Sequence, residues 1–183
     1  MTKQERNQAD NNFRISMINE RNEIACNWHQ YHSLIEDLAI LIDDKNLHFD
    51  QIIAIARGGL RVGDILSRIF DKPLIVLAAK SYDNKSKGVV KIGIELAHTC
   101  DEIGSNLLLV DDLVDSGETL SVATTWLEKE YGRCQVKTGV IWRKKDSIFN
   151  PSLSALCLKF NPWITQPFEF WHNKQIKHLR AMR

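Results

Sequence analysis

Short, continuously apolar stretches recur along this chain, and polar or turn-forming residues follow each of them. Examples are "IIAIA", "PLIVLAA" and "LLLV", which consist mainly of isoleucine, leucine, valine and alanine. Strands that are buried on both faces of a parallel sheet have this composition, because neither face meets water. The pattern therefore predicts buried strands at residues 52–56, 73–79, 107–110, 136–142 and 153–158.

Amphipathic stretches precede or separate these predicted strands. In the first of them, the spacings of three and four are typical of a helix with one buried face, with apolar residues at Trp28, Tyr31, Ile35, Leu38 and Ile42. Further helices are predicted at 60–70 and at about 117–131. Strands that alternate with helices form βαβ units, so we expect an α/β fold with a central, mainly parallel sheet flanked by helices.

Two regions lack this regular pattern. Residues 1–22 are rich in Asn, Gln, Glu and Arg, so we expect an N-terminal arm before a single domain over 23–183. Residues 83–105 are mixed in composition, with strand-like pieces around Val89–Ile94, and favour a flexible lid that contains a two-stranded flap. We expect the chain ends and the residues of the 160s to form a small hood.

Composition and charge narrow the class of protein. The chain has 183 residues, of which 44% are hydrophobic and 26% charged, and its net charge is +1. This balance gives no electrostatic reason to expect nucleic acid or an anionic membrane as a partner. No apolar stretch approaches the roughly 20 residues that span a bilayer, and the polar N-terminus has no apolar signal region. We therefore expect a cytoplasmic protein without membrane insertion.

The cysteines and histidines have no spacing that is typical of a metal site. No C-x-x-C pair and no H-x-x-x-H motif occurs, and the four cysteines are scattered at Cys26, Cys100, Cys134 and Cys157. We therefore expect reduced thiols, as in most cytosolic proteins, and no structural zinc.

The stretch "LLLVDDLVDSGETL" carries the strongest chemical signal. Asp111 and Asp112 follow a predicted strand, and ligands of open α/β sheets bind beyond the carboxyl ends of the strands. Residues 115–119 open a predicted helix, whose free N–H groups and dipole suit a phosphate. Carboxylates accept hydrogen bonds from vicinal hydroxyls, so the segment has the outline of a ribose 5-phosphate site. The alternative is a solvated loop in which Ser116 caps the helix.

Two other kinds of phosphate site lack support in the sequence. No G-x-x-x-x-G-K-[ST] motif occurs, so a P-loop nucleotide site is not expected. No G-x-G-x-x-G motif follows a predicted strand, so a dinucleotide-binding Rossmann site is not expected either.

Four segments together resemble a known family. "VDDLVDSGET" resembles the 5-phosphoribosyl-1-pyrophosphate (PRPP) signature of type I phosphoribosyltransferases, and "AIARGGL" resembles their pyrophosphate loop. "KSYD" resembles the start of their mobile loop. "WITQP" resembles the purine-stacking segment of the bacterial xanthine–guanine enzymes in particular, and "NWHQYHSLIEDLA" also fits that subfamily. The resemblance covers residues 23 to 169, and the segments follow one another in the same order as in the family.

The resemblance implies roles for particular residues. Asp111 and Asp112 would bind the ribose hydroxyls and a magnesium ion. Asp115 would contact the purine imidazole as base or orienter. Backbone amides of the 115–119 loop, which includes Gly117 and Glu118, would hold the 5-phosphate together with Ser116 and Thr119.

Pyrophosphate and the purine base would be held by other segments. The resemblance implies that Arg57 and Gly58 bind pyrophosphate, with a cis peptide bond between Ala56 and Arg57. Lys144 would bind the purine 6-oxo group, Trp163 would stack on the base, and main-chain groups near Ile164 would help.

The function that the resemblance implies is transfer of a phosphoribosyl group from PRPP to a 6-oxopurine in purine salvage. Mg²⁺ would be the cofactor, PRPP and a purine base the ligands, and a homodimer or homotetramer the assembly. Two alternatives remain open: a phosphoribosyltransferase for another nucleobase, and a PRPP-binding regulatory protein with little turnover. A structural protein without a ligand would have no use for four site motifs.

Overall fold

The computed structural model describes residues 23–82, 89–92, 102–132, 134–171 and 176–181. The predicted N-terminal arm, 1–22, lies outside the described residues. So does most of the predicted lid, of which the structure describes 89–92 and 102–105.

The described chain contains a six-stranded sheet with helices between its strands. In chain order the elements are β1 (Ile24–Ala25), α1 (Trp28–Asp44), β2 (Gln51–Ala56), α2 (Gly59–Phe70), β3 (Leu74–Tyr82), β4 (Val89–Ile92), β5 (Asn106–Val114), α3 (Glu118–Tyr131), β6 (Gln135–Arg143), β7 (Leu153–Cys157), β8 (Ile164–Thr165), a 3₁₀-helix (Pro167–Trp171) and α4 (Ile176–Ala181). The five strands and three helices expected from the hydrophobic pattern are confirmed.

The strands of the large sheet are mostly parallel. Their order is β4-β3-β2-β5-β6-β7, and every neighbouring pair is parallel except β3 and β4. The antiparallel partner of β3 is the short strand Val89–Ile92, so a strand is present where strand-like pieces were expected around Val89–Ile94, whereas a flap with two strands within 83–105 stays a prediction. The predicted fold class, a mainly parallel α/β sheet with covering helices, is confirmed.

The core forms because the strands carry apolar residues on both faces. Ile53, Ile55, Leu107 and Leu109 join one buried cluster, together with three apolar residues of α3, namely Leu120, Ala123 and Leu127. Helix α2 lies close to β2 at Gly63, where an added Cβ would come within 2.6 Å of the Ala54 Cβ. A larger side chain there would push the helix away from the sheet.

Residues of the described chain form two compact units. One comprises Leu34–Asn161 and holds the six-stranded sheet, and the other joins the N-terminal residues up to Ser33 to Pro162 and the residues after it. In this second unit β1 and β8 pair in parallel, with Ile24 opposite Ile164. The described residues before Leu34 and after Asn161 thus form a small unit of their own, and its role as the expected hood stays a prediction. The single domain over 23–183 stays a prediction.

The short elements of the second unit were not expected from the sequence. The strands β1 and β8 have two residues each and α4 has six, which is too short for a hydrophobic period to show.

None of the described helices is both long and apolar enough to cross a bilayer. The described cysteines, Cys26, Cys134 and Cys157, are free thiols, and burial raises the pKa of Cys26 to about 12.

Asp50 joins the start of β5 to the loop before β2, and this contact should depend on pH. Its Oδ2 accepts hydrogen bonds from the Asn106 backbone N–H at 2.8 Å and from the Asn106 side chain at 3.1 Å. The backbone bond from Asn106 is the main reason that the pKa of Asp50 lies below its usual 3.8. A lowered pKa means stabilisation that is complete above 3.8 and lost as the pH falls through the lowered value.

We therefore expect Asp50→Ala to lower the melting temperature at pH 7. The difference from wild type should shrink as the pH falls below about 3.8, because the carboxylate of the folded wild-type protein becomes protonated as the pH passes through its lowered pKa. Thermal unfolding followed by circular dichroism from pH 3 to pH 7 measures this. A difference that stays constant over the whole range would contradict the stated role of the ionised carboxylate.

Candidate active site

Two neighbouring carboxylates lie where β5 extends beyond its neighbour β2. The pairing of β5 with β2 ends at Val110, whereas its pairing with β6 continues to Val114, which lies opposite Arg143. The strand is therefore longer than the predicted 107–110, and Asp111 and Asp112 lie within it rather than just after it. The pairing with β6 supplies the backbone hydrogen bonds that keep this polar stretch extended.

Asp111 is buried, although its side chain is a carboxylate. It is 8% exposed, and its Oδ1 accepts the backbone N–H of Asp112 at 2.9 Å. The backbone N–H of Gly59 also donates to this carboxyl group. Burial, and then the charge of Asp112, raise the pKa of Asp111 well above its usual value, because both penalise the ionised form. A cation bound here would favour ionisation.

The predicted pyrophosphate loop lies directly against this acidic pair. A Cβ added at Gly58 would overlap the carboxylate of Asp112, and one added at Gly59 would come within 2.5 Å of the Val110 carbonyl oxygen. A side chain does not fit at Gly59, whose neighbours are backbone atoms, and a side chain at Gly58 would displace the Asp112 carboxylate. The peptide bond between Ala56 and Arg57 is cis, as the resemblance implies, and the Arg57 side chain is exposed.

The loop after β5 turns at Gly117 and opens α3. Gly117 has φ +94°, a left-handed conformation in which a side chain would be strained. The hydroxyl of Ser116 accepts the backbone N–H of Glu118 at 3.3 Å, but the N-cap residue of α3 is Gly117 rather than Ser116, and no side chain caps the helix. Asp115, Ser116 and Glu118 are exposed.

A cleft of about 90 Å³ opens beside this loop. It is lined by Asp111, by residues 113–117, by Thr119 and by Leu120. The helices α2 and α3 both begin at this edge of the sheet, at Gly59 and Glu118. A helix N-terminus carries a partial positive charge and free N–H groups, so two anionic groups have suitable positions here, one at each helix.

Lys144 lies beside the same loop and is paired with Asp115. The two side chains differ in environment: that of Lys144 is 10% exposed and that of Asp115 is 68% exposed. Their Nζ–Oδ2 distance is 2.9 Å, which is a charge-assisted hydrogen bond. The neighbouring Lys145 is exposed. The structure therefore buries Lys144, the lysine to which the resemblance gave a role, and leaves its neighbour exposed.

Comparison with known proteins decides the family. The chain matches the phosphoribosyl transferase domain family over residues 27–174. It belongs to this family. The resemblance that the four sequence segments indicated is thus confirmed. The cleft and the N-termini of α2 and α3 lie in the part of the chain that matches.

Among curated proteins, the chain resembles xanthine-guanine phosphoribosyltransferases. It is 37% identical over 105 residues to the one from Desulfotalea psychrophila, which is 57% of this chain and 63% of that protein. It is 30% identical over 106 residues to the one from Chromohalobacter salexigens, which is 57% of this chain and 62% of that protein. The matched part thus spans less than two thirds of the length of these relatives.

Solved structures resemble a larger part of the chain. The purine phosphoribosyltransferase from Pyrococcus horikoshii is 27% identical and superposes with a TM-score of 0.67. The match covers 84% of this chain and 96% of the other. The xanthine-guanine-hypoxanthine phosphoribosyltransferase from Helicobacter pylori is 19% identical, with a TM-score of 0.68 and coverage of 86% and 97%. The latter likeness concerns the fold.

Two residues with predicted roles at the base belong to the other compact unit of the chain. Trp163 is 67% exposed, whereas Ile164 is buried and pairs with Ile24. Their predicted roles, stacking on the base and main-chain contact with it, stay predictions.

One group of residues beside the loop was not indicated by any pattern in the sequence. Ser147 and Phe149, which follow β6, contact Gly117 closely enough that an added Cβ would lie within 2.8 Å of each. Neither belongs to a recognisable motif, and an irregular segment has no hydrophobic period by which it could be found.

The buried carboxyl group of Asp111 should reduce the stability of the ligand-free protein. Because its pKa is raised in the folded state, its favourable contribution is complete only below the usual value of 3.8 and is lost as the pH rises through the raised pKa. We expect Asp111→Asn, which has no charge to bury, to raise the melting temperature at pH 7. The gain should disappear towards pH 4. A variant that is less stable than wild type at every pH would contradict this.

Proposed function

We propose that this protein transfers a phosphoribosyl group from PRPP to a 6-oxopurine, namely guanine, xanthine or hypoxanthine, and releases pyrophosphate. The observation that supports this most is the combination at one sheet edge of a carboxylate pair, two helix N-termini and a buried lysine. The family match and the names of the curated relatives support the same reaction. The reaction returns a free base to the nucleotide pool, which is purine salvage.

PRPP carries anionic groups at two ends with a diol between them, and the site offers a matching order of groups. The 5-phosphate would bind at residues 115–119, through backbone amides, Ser116 and Thr119. Pyrophosphate would bind at Arg57 and Gly58, at the start of α2. The ribose hydroxyls would donate to Asp111 and Asp112, as hydroxyls do to carboxylates. Glu118 is exposed, so its carboxylate can point to solvent rather than repel the phosphate.

The donor set fits a magnesium ion held jointly by protein and substrate. Within the described part of the chain, no group of three or more His, Cys, Asp and Glu residues is arranged to hold a metal ion. Mg²⁺ commonly needs only one or two protein carboxylates and takes its other ligands from substrate oxygens and water. Asp111 and Asp112 would supply the carboxylates. When bound, the ion neutralises charge on the pyrophosphate leaving group.

The protein's own residues would orient the reactants and move one proton. The bond from the ribose anomeric carbon to the pyrophosphate oxygen breaks, and a purine imidazole nitrogen forms the new bond to that carbon. The anomeric carbon becomes cationic on the way, as in glycoside cleavage. Asp115 would accept or orient the proton that the imidazole ring loses, and Arg57 would stabilise the charge on the departing pyrophosphate.

Lys144 would select the base through its ammonium group. An ammonium has three donors and no acceptor, and Asp115 uses one of these donors. Two remain for the acceptor oxygen of a 6-oxopurine, whereas the amino group of adenine would face them with further donors. Leaving buried donors unpaired is costly, so the pocket should reject adenine.

The proposal is tested by measuring pyrophosphate release from PRPP and Mg²⁺ with guanine, xanthine, hypoxanthine, adenine and orotate. We expect turnover with at least one of the first three bases and almost none with adenine. Orotate belongs in the panel because an orotate phosphoribosyltransferase from Sulfurisphaera tokodaii is 30% identical over 119 residues. Turnover with orotate or adenine alone would indicate a transferase for another base. Binding of PRPP without any release would indicate a regulatory protein.

The two adjacent lysines provide a matched pair of variants. Lys144→Ala should lower kcat/KM for the oxopurine by roughly 10- to 100-fold, because it removes a charge-assisted hydrogen bond of about 1.5–3 kcal/mol. Its affinity for PRPP should change much less. Lys145→Ala, at an exposed side chain, should behave as wild type. Steady-state kinetics and calorimetry with PRPP measure both. A damaging Lys145→Ala beside a silent Lys144→Ala would show that the base pocket is assigned wrongly.

A further inference from the structure

A segment after β6 holds the candidate phosphate loop at four consecutive residues, 114 to 117. We call this segment, residues 144–149, the brace. Its first residue makes two of the contacts: the Lys144 backbone N–H donates to the Val114 carbonyl oxygen at 3.0 Å, and its ammonium group donates to Asp115 at 2.9 Å. Backbone and side chain of one residue thus tie the brace to the end of β5.

The third contact sets the direction of a backbone amide in the loop. The Ile148 backbone N–H donates to the carbonyl oxygen of Ser116 at 2.9 Å. In a trans peptide the C=O and N–H groups point in opposite directions, so this bond directs the Gly117 N–H away from the brace. An outward amide at the start of a helix is the kind of donor that binds an anion.

Ser147 gives the brace its local shape. Its Oγ accepts the Phe149 backbone N–H at 3.2 Å and lies 3.0 Å from the Phe149 carbonyl oxygen. It also lies 3.5 Å from the Ser116 carbonyl oxygen, and its single hydrogen donates to one of the two oxygens at a time. These bonds close a tight turn around Ile148, whose amide thereby faces Ser116.

The fourth contact is steric and explains the glycine of the loop. A Cβ on Gly117 would come within 2.5 Å of the Phe149 Cβ, 2.7 Å of the Phe149 nitrogen and 2.8 Å of the Ser147 Oγ. The turn that Ser147 closes therefore packs against the backbone of the loop with no space for a side chain. Movement of this turn would release both the Ser116 carbonyl and the face of Gly117.

We infer that Ser147 is a positioning residue for the 5-phosphate site. It does not line the cleft itself, and acts through Ile148 and Phe149 on Ser116 and Gly117. The inference rests on the proposed function for the ligand, but the order that Ser147 imposes on the loop exists without one. Because Lys144 is in the same brace, Ser147 also joins the residue proposed to select the base to the loop proposed to hold the phosphate.

The first test uses ligand-free protein and three variants. Ser147→Ala removes the hydroxyl, and Ser147→Thr keeps it. Ser152→Ala is the matched control, since Ser152 Oγ accepts the Thr138 backbone N–H at 3.1 Å, next to β7 and away from the loop. Hydrogen exchange should be faster at residues 115–119 in Ser147→Ala only. Exchange unchanged from wild type in Ser147→Ala, or equally raised in Ser152→Ala, would overturn the inference.

The second test measures ligand affinity by calorimetry with two probes. Ser147→Ala should weaken binding of ribose 5-phosphate by roughly three- to ten-fold, the range that corresponds to one hydrogen bond. Binding of inorganic pyrophosphate, proposed for the start of α2, should not change, and Ser147→Thr should bind both as wild type does. Equal weakening of the two probes would mean a general loss of structure and would overturn the positioning role.

The two tests separate this inference from the proposed function. If wild-type protein binds neither ribose 5-phosphate nor PRPP, the proposed function fails, while the exchange measurement still decides whether Ser147 orders the loop. If wild-type protein binds ribose 5-phosphate and Ser147→Ala binds it equally well, the inference fails and the proposed function stands.

Discussion

The candidate site depends on the pairing of β5 with β6 beyond the end of β2. Up to Val110, β5 has a strand on each side, and from Asp111 to Val114 it is held by β6 alone. The open side next to β2 is where the chain turns through Gly58 and Gly59 into α2. Without the hydrogen bonds to β6, a stretch that contains two carboxylates would have no reason to remain extended at this edge. With them, Asp111 and Asp112 lie against the glycine turn.

The electrostatics of this sheet edge suit a ligand that combines anionic groups with a bound cation. Two helix N-termini offer partial positive charge to anions, while the acidic pair between them offers a place for hydroxyls and a cation. The ionised form of Asp111 is disfavoured in this arrangement, since burial and the charge of Asp112 raise its pKa. A bound cation would favour the ionised form of Asp111. The affinity of the site for a cation is therefore coupled to the ionisation of this carboxyl group.

Geometry close to the loop is set by contacts that have no room for side chains. Gly58 lies against Asp112, Gly59 against the Val110 carbonyl oxygen, and Gly117 against Phe149. Each contact joins a residue of a recognisable motif to a residue from another part of the chain. The motif glycines therefore serve packing as well as approach of a ligand. The partners of Gly58 and Gly59 belong to the acidic motif, whereas Phe149, the partner of Gly117, lies outside the motifs.

The sequence by itself determined the large elements and the chemistry at the end of β5. Runs such as "IIAIA" and "LLLV" specify buried parallel strands, because burial of both faces requires apolar residues at consecutive positions. The carboxylates and the loop that opens α3 could also be predicted from the sequence, because their chemistry depends on the residue types themselves. Only the tertiary structure decided that β5 continues to Val114, that Lys144 rather than Lys145 is buried, and that Ser147 and Phe149 support Gly117. These features depend on contacts between residues that are distant in the sequence. The hydrophobic periodicity of a local segment does not indicate such contacts. The short pairing of β1 with β8 has the same origin: a two-residue strand is stable only through the partner that the fold brings to it.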